Sequence, residues 1–159
     1  MKHLLQPVFT FITFLFFFTI CRAGDFEWVK TEKEISVYER WVKHNGNTVR
    51  ELKVEFTVLS ASAGKVIALL KDPAKGPKWN TNAKKFRIVP TANEAVWLNY
   101  VRYDIPWPMN DQDCSLKFYY NRSELTQPVC HIYFEEIKTE KFPLVKDVTR
   151  ITGTKGKWV

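Results

Sequence analysis

The chain is short of the residues from which disulfide scaffolds and zinc centres are built: it holds three cysteines and three histidines. If the first residues are removed, as argued below, only Cys114, Cys130, His44 and His131 remain. That number excludes a disulfide-dense framework and leaves one bridge at most. Cys114 and Cys130 fall on strands expected to be neighbours, but a hairpin turning near residues 123–127 sets residue 114 opposite roughly residue 136, so free thiols are expected. No Cys-x-x-Cys or His-x-x-x-His spacing occurs, so no metal site is expected. His131 follows Cys130 directly, and strand alternation sends the two side chains to opposite faces, which makes a poor nucleophile and base pair. A Gly-x-Ser-x-Gly elbow is missing too. Gly153-Thr154-Lys155-Gly156-Lys157 has the composition of a phosphate loop without its spacing or its following helix, and reads as a basic hairpin turn. No cofactor is expected.

Charge is modest. The net +7 of the whole chain comes from 24 Lys and Arg against 17 Asp and Glu. Loss of Lys2 and Arg22 with the first residues lowers it to +5, because that segment contains no acidic residue. The basic residues are scattered, the nearest approach to a patch being Lys84-Lys85-Phe86-Arg87, which reads as a solvated strand edge with at most weak attraction to anionic headgroups. A nucleic-acid partner is not expected.

A basic start, Lys2-His3, precedes an uncharged apolar run from Val8 to Ile20 that ends at Cys21-Arg22-Ala23. The run is short for a bilayer span, and the small-x-small ending suits cleavage before Gly24. Residues 1–23 are therefore expected to be an export signal, and the mature protein secreted or periplasmic. Cys21 also permits a lipoprotein reading, although Ile20 stands where a small residue is expected.

Residues 24–159 suffice for one domain. Strands are expected over about 34–43, 49–58, 84–91, 95–104, 113–122 and 129–139, with a last one beginning near 149. His44-Asn45-Gly46-Asn47 is a turn signal between the first two. In the second, Leu52, Val54, Phe56 and Val58 share a face that is expected to be buried. Ser60 is placed to cap a helix over 61–71, striped by Val66, Ile67, Leu69 and Leu70 and stopped by Asp72-Pro73. Gly76-Pro77-Lys78-Trp79 adds a possible helical turn. The fold class is thus α+β, an antiparallel sheet with short helices after the second strand. One short helix is too little to cover so many strands with so aromatic a face.

The segment Tyr103-Asp104-Ile105-Pro106-Trp107-Pro108-Met109-Asn110-Asp111-Gln112-Asp113 breaks the strand pattern. Two prolines flanking a tryptophan remove two backbone donors and force a stiff loop. Its apolar side chains either plug a core or form the lip of a cavity. Asp111 and Asp113 are expected to accept backbone N–H groups that stiffen it.

These residues resemble the segment that START-type lipid-binding domains, of the helix-grip superfamily, carry between two central strands: Pro-Trp-Pro followed by an Asp-Arg-Asp-like triplet, here Asp111-Gln112-Asp113. Trp79 and Gly156-Lys157-Trp158 support the resemblance, which covers residues 26–159. It implies a curved antiparallel sheet gripped by a long C-terminal helix around a hydrophobic tunnel. That helix is expected to lie beyond the strand pattern in which the sequence stops. Ile105, Pro106, Trp107, Pro108 and Met109 then correspond to the gate loop. The tunnel lining corresponds to Trp97, Asn99, Val101 and Tyr103 on one strand, Leu116, Phe118 and Tyr120 on the next, and Ile132 and Phe134 on a third. Phe118 stands where sterol-binding members tend to place a cation, which implies a less polar cavity.

The function implied is an exported, non-enzymatic carrier of a hydrophobic small molecule or lipid, monomeric, with transient contact to membrane surfaces, in the manner of lipid transport. One alternative is a cyclase- or aromatase-like enzyme of the same superfamily, for which Glu136 with Tyr120 is the acid–base pair to consider. Another is a protein-interaction module anchored by Trp107 and Met109.

Overall fold

A computed structural model describes residues 25–159. The export expectation on residues 1–23 lies outside the described residues. The chain divides into two units, one running to Val58 and the other spanning Leu59–Val159.

The first unit is a three-stranded antiparallel sheet of β1 (Glu27–Glu32), β2 (Ile35–His44) and β3 (Asn47–Glu55), in that order. Asn45 and Gly46 both take positive φ, 49° and 81°, as the tight turn between right-twisted strands requires. Arg40 pairs with Glu51 and Arg50 with Glu39 across β2 and β3. Two expectations are corrected here. β1 precedes the first strand expected, so the helices follow the third strand. Leu52, Val54, Phe56 and Val58 are each half exposed or more, because a single three-stranded layer has no second layer of its own to cover a face.

The second unit opens with α1 (Ala63–Leu70), whose N-cap is Ser62; its side chain accepts the Lys65 N–H at 3.3 Å. The expected cap, Ser60, instead sits in the turn before the helix at φ 59°. Ile67 and Leu70 are buried while Leu69 faces out. The Asp72 carboxylate then accepts the N–H groups of Ala74 and Lys75, turning the chain into the single helical turn α2 (Gly76–Trp79).

Six strands follow. β4 (Ala83–Pro90), β5 (Val96–Tyr103), β6 (Gln112–Tyr120), β7 (Ile132–Glu136) and β9 (Lys155–Trp158) pair in that order, all antiparallel, and the two-residue β8 (Thr149–Arg150) lies parallel to the start of β6. Lys84, Lys85 and Arg87 lie on the edge strand β4 and are exposed, as expected. No long helix follows β9 among the described residues.

Alternation gives this sheet two apolar faces. On one, Trp97, Val101, Cys114, Leu116, Phe118 and Ile132 pack with Ile67 and Leu70 of α1. On the other, Leu98 and Tyr100 pack with Phe142, carried by the segment between β7 and β8. That segment is tied down by Arg150, whose guanidinium binds the Asp113 carboxylate, Ser115 Oγ and the carbonyls of Phe142 and Pro143. Tyr100 donates its hydroxyl to the same carboxylate at 2.9 Å.

Gly76 lies flat on the Phe86 ring, where a Cβ would come within 2.3 Å of Cδ1. Alanine would ordinarily favour the helical turn by about 1 kcal/mol. A clash with three ring atoms outweighs that, so Gly76→Ala is expected to destabilise by about 1–3 kcal/mol in a denaturant melt. Pairing it with Phe86→Leu is expected to recover part of the loss.

Candidate functional site

The face of the sheet that carries α1 is not packed solid. A half-open hollow of about 240 Å³ lies against it. Six of its lining residues are among those expected from the sequence: Asn99, Val101 and Tyr103 from β5, Leu116 and Phe118 from β6, and Phe134 from β7. They come together because β5, β6 and β7 run in register, Val101 opposite Cys114, Asn99 opposite Leu116 and Phe118 opposite Phe134. Every second residue of each strand therefore projects to one side.

Three expected residues do not line it. Trp97 is 1% exposed and stacks on Phe118 with ring centroids 5.1 Å apart, so it forms the packed floor beside the hollow. Tyr120 tilts against Trp97, and Ile132 is buried in the core.

Five lining residues went unanticipated: Leu70, Trp79, Asn80, Phe86 and Trp158. Leu70 and Trp79 come from the helices, and Trp79 meets Phe86 edge to face. Trp158 reaches the site because β9 pairs with β7, Ile132 opposite Trp158. Beside it Gly156 lies so close to the Phe134 ring that a Cβ there would sit 2.4 Å from Cζ. The helical stripe and the β9 alternation are the signals that point to Leu70 and Trp158.

The lining contains no acidic or basic side chain and no thiol or imidazole. Its polar groups are the amides of Asn80 and Asn99, the phenol of Tyr103 and the indole N–H groups of Trp79 and Trp158. Asn80 Nδ2 donates to the Tyr103 hydroxyl at 3.4 Å, and burial pushes the Tyr103 pKa up, which keeps that phenol neutral. Such a surface is chemically suited to an apolar molecule.

The Ile105–Met109 loop takes another position. Ile105, Pro106 and Trp107 line a shallow depression with Asn82, Ala83 and Lys84. Trp107 is 91% exposed, and Pro108 and Met109 are exposed as well. The loop is anchored at its ends: Asp104 N donates to the Asn82 carbonyl, and the Asp111 carboxylate binds Arg102 and Lys84. The Arg102 guanidinium, with further help from Lys84 and the Ile105 N–H, holds the Asp111 carboxyl below its ordinary pKa. Arginines thus take the leading part expected of backbone N–H groups, at Asp111 and again at Asp113. Tyr103, at the end of β5, is the residue that joins this end of the sheet to the hollow.

Glu136 does not enter the lining. Its carboxylate accepts the Gly153 N–H at 2.6 Å, and no hydrogen bond joins it to Tyr120 among the described residues. His131 Nδ1 lies 3.0 Å from Glu124 Oε2, and His44 ends β2. Cys114 is buried and Cys130 partly so, and both are free.

No family model matches the sequence, and no curated protein does. Solved structures do. The chain is similar to a STAR-related lipid transfer protein from Xanthomonas axonopodis, at 25% identity and a TM-score of 0.69, over 84% of this chain and 71% of that one. It is also similar in fold to human STARD10, at 17% identity and a TM-score of 0.63, over 79% of this chain and 49% of that one. The third is the human StarD13 lipid transfer and protein localization domain, at 12% identity and a TM-score of 0.62, over 76% of this chain and 62% of that one. The chain therefore spans about half to seven-tenths of these proteins. By this likeness, which extends over most of its length, the chain has the fold of a START-type domain.

Proposed function

We propose that the protein is an exported, non-enzymatic binding module that holds a hydrophobic small molecule, a lipid, against the sheet at the hollow beside Phe118. The observation that carries the reading is a hollow lined almost wholly by apolar and aromatic side chains and free of charge. The likeness to a STAR-related lipid transfer protein supports it. At about 240 Å³ the hollow is smaller than the ~300–1,000 Å³ of drug-sized pockets, so a guest enters it in part. Each methylene buried there contributes about 0.8 kcal/mol. Export rests on the character of residues 1–23.

The reading includes brief contact with a membrane surface. Two loops leave the sheet at one end, because Gln112 at the start of β6 pairs with Thr149 of β8 in parallel. One presents Trp107 and Met109; the other presents Leu144, 77% exposed, and Val145, between Lys141 and Lys146. Exposed apolar side chains grouped at one end mark interaction surfaces, and tryptophan favours the bilayer interface.

The experiment is uptake of a fluorescent lipid from vesicles by the full-length protein. Val101→Trp, which fills the hollow from the middle of β5, is expected to abolish uptake while the melt stays cooperative. Trp107→Ser is expected to slow uptake without changing the amount held at the end. Undiminished uptake by Val101→Trp would remove the hollow from the account.

A further inference from the structure

Asn99 is the one lining residue with a side-chain amide or hydroxyl that has no hydrogen-bond partner among the described residues. It lies in the middle of β5, is 4% exposed, and borders the hollow. Its side-chain amide makes no hydrogen bond among the described residues, whereas the Asn80 amide and the Tyr103 hydroxyl bind each other. A buried amide without a partner is costly, and native structures rarely leave one so unless something else satisfies it. Two residues along the same strand face, the Trp97 indole N–H is fully buried without a partner, whereas the Asn99 amide borders the hollow.

Resting on the reading that the hollow holds a lipid, we infer that the guest carries an uncharged hydrogen-bonding head, a hydroxyl above all, which is received by the Asn99 amide. The amide offers two donors and an acceptor, so it can both give and take a bond with a hydroxyl, and can give one to a carbonyl. It offers no charge. An ionised carboxylate or phosphate brought into the hollow would lose its water and find no cation in the lining to replace it. The ammonium of Lys71, which lies over the Trp97 ring, is not part of that lining and donates instead to the Glu94 carbonyl. Asn99 is thus a specificity residue: it selects a neutral polar head and, by the absence of a nearby cation, an acidic one is rejected.

The test compares dodecanol, laurate and dodecane as ligands for the delipidated full-length protein at about pH 8, where a carboxyl of ordinary pKa is ionised. Dodecanol is expected to bind at least about tenfold more tightly than laurate, the ratio that corresponds to one satisfied hydrogen bond and an avoided charge burial. In Asn99→Leu the advantage of dodecanol over dodecane is expected to vanish, with dodecane affinity kept or improved. Asn99→Ser, smaller and still polar, is expected to retain part of the advantage, and serves if the leucine variant does not fold. Laurate binding as well as dodecanol, or an alcohol preference undisturbed in either variant, would overturn the inference and leave the lipid reading standing. Failure of all three ligands to bind would overturn both.

Discussion

Asp113→Ala is expected to lower the unfolding free energy by about 3–5 kcal/mol, the usual effect of removing one partner from a buried ion pair. Asp113 is 1% exposed, and the Arg150 side chain it holds is 13% exposed. Without the carboxylate, Arg150 keeps its bonds to Ser115 Oγ and to the Phe142 and Pro143 carbonyls but loses the one countercharge bonded to it among the described residues, and the Tyr100 hydroxyl loses its acceptor. Against a total stability of about 5–15 kcal/mol for an ordinary domain, this brings the variant near unfolding at room temperature. A denaturant melt reads the effect. The double variant Asp113→Ala, Arg150→Met is expected to be more stable than Asp113→Ala alone, since the uncompensated charge goes with the guanidinium. A double variant no better than the single would mean that packing of the Phe142 segment, not charge, sets the cost.

Trp97→Ala is expected to cost a similar ~3–5 kcal/mol, for a different reason. Trp97 is the largest side chain buried in the main core and stacks on Phe118, so its removal opens a void beside the hollow that the sheet cannot close. Trp97→Phe separates the two properties of the indole. It gives up some volume but also removes a buried N–H that has no partner. Its expected loss is therefore well below that of alanine, and thermal melts of the three proteins should rank wild type, phenylalanine, alanine. A phenylalanine variant as unstable as the alanine one would show that the indole N–H is satisfied in solution.

What could be read from the sequence follows the range of the physics involved. Alternation along β5 and β6 is local, so the face shared by Asn99, Val101, Leu116 and Phe118 was legible. So was the Asn45-Gly46 turn, whose positive φ values few residues tolerate. Ser60 and Ser62 are equivalent as caps on chemistry alone, and α1 takes the second. β1 escaped notice because Glu-Trp-Val-Lys-Thr-Glu lacks a clean alternation, and it is entirely exposed. The partner of Asp113 was not legible at all. Arg150 lies 37 residues away, on a two-residue strand whose parallel pairing leaves no periodic signal. Phe142 lies outside every expected strand, and its place against Leu98 and Tyr100 has no local pattern either. The Pro-Trp-Pro segment was legible as a stiff loop, but not where it points: Trp107 faces solvent instead of the hollow, since the Asp111–Arg102 pair and the Asp104–Asn82 hydrogen bond fix the loop's ends alongside β4. Leu70 and Trp158 complete the hollow from elements far apart in sequence, which no local pattern joins.

Native mass spectrometry of the full-length protein, purified from its own cells without detergent and set beside Val101→Trp, tests the central claim most directly. The account predicts a non-covalent adduct on the wild type whose released mass is that of an uncharged lipid, and no adduct on the filled variant. A wild type with nothing bound, or an adduct equally abundant on Val101→Trp, would contradict it.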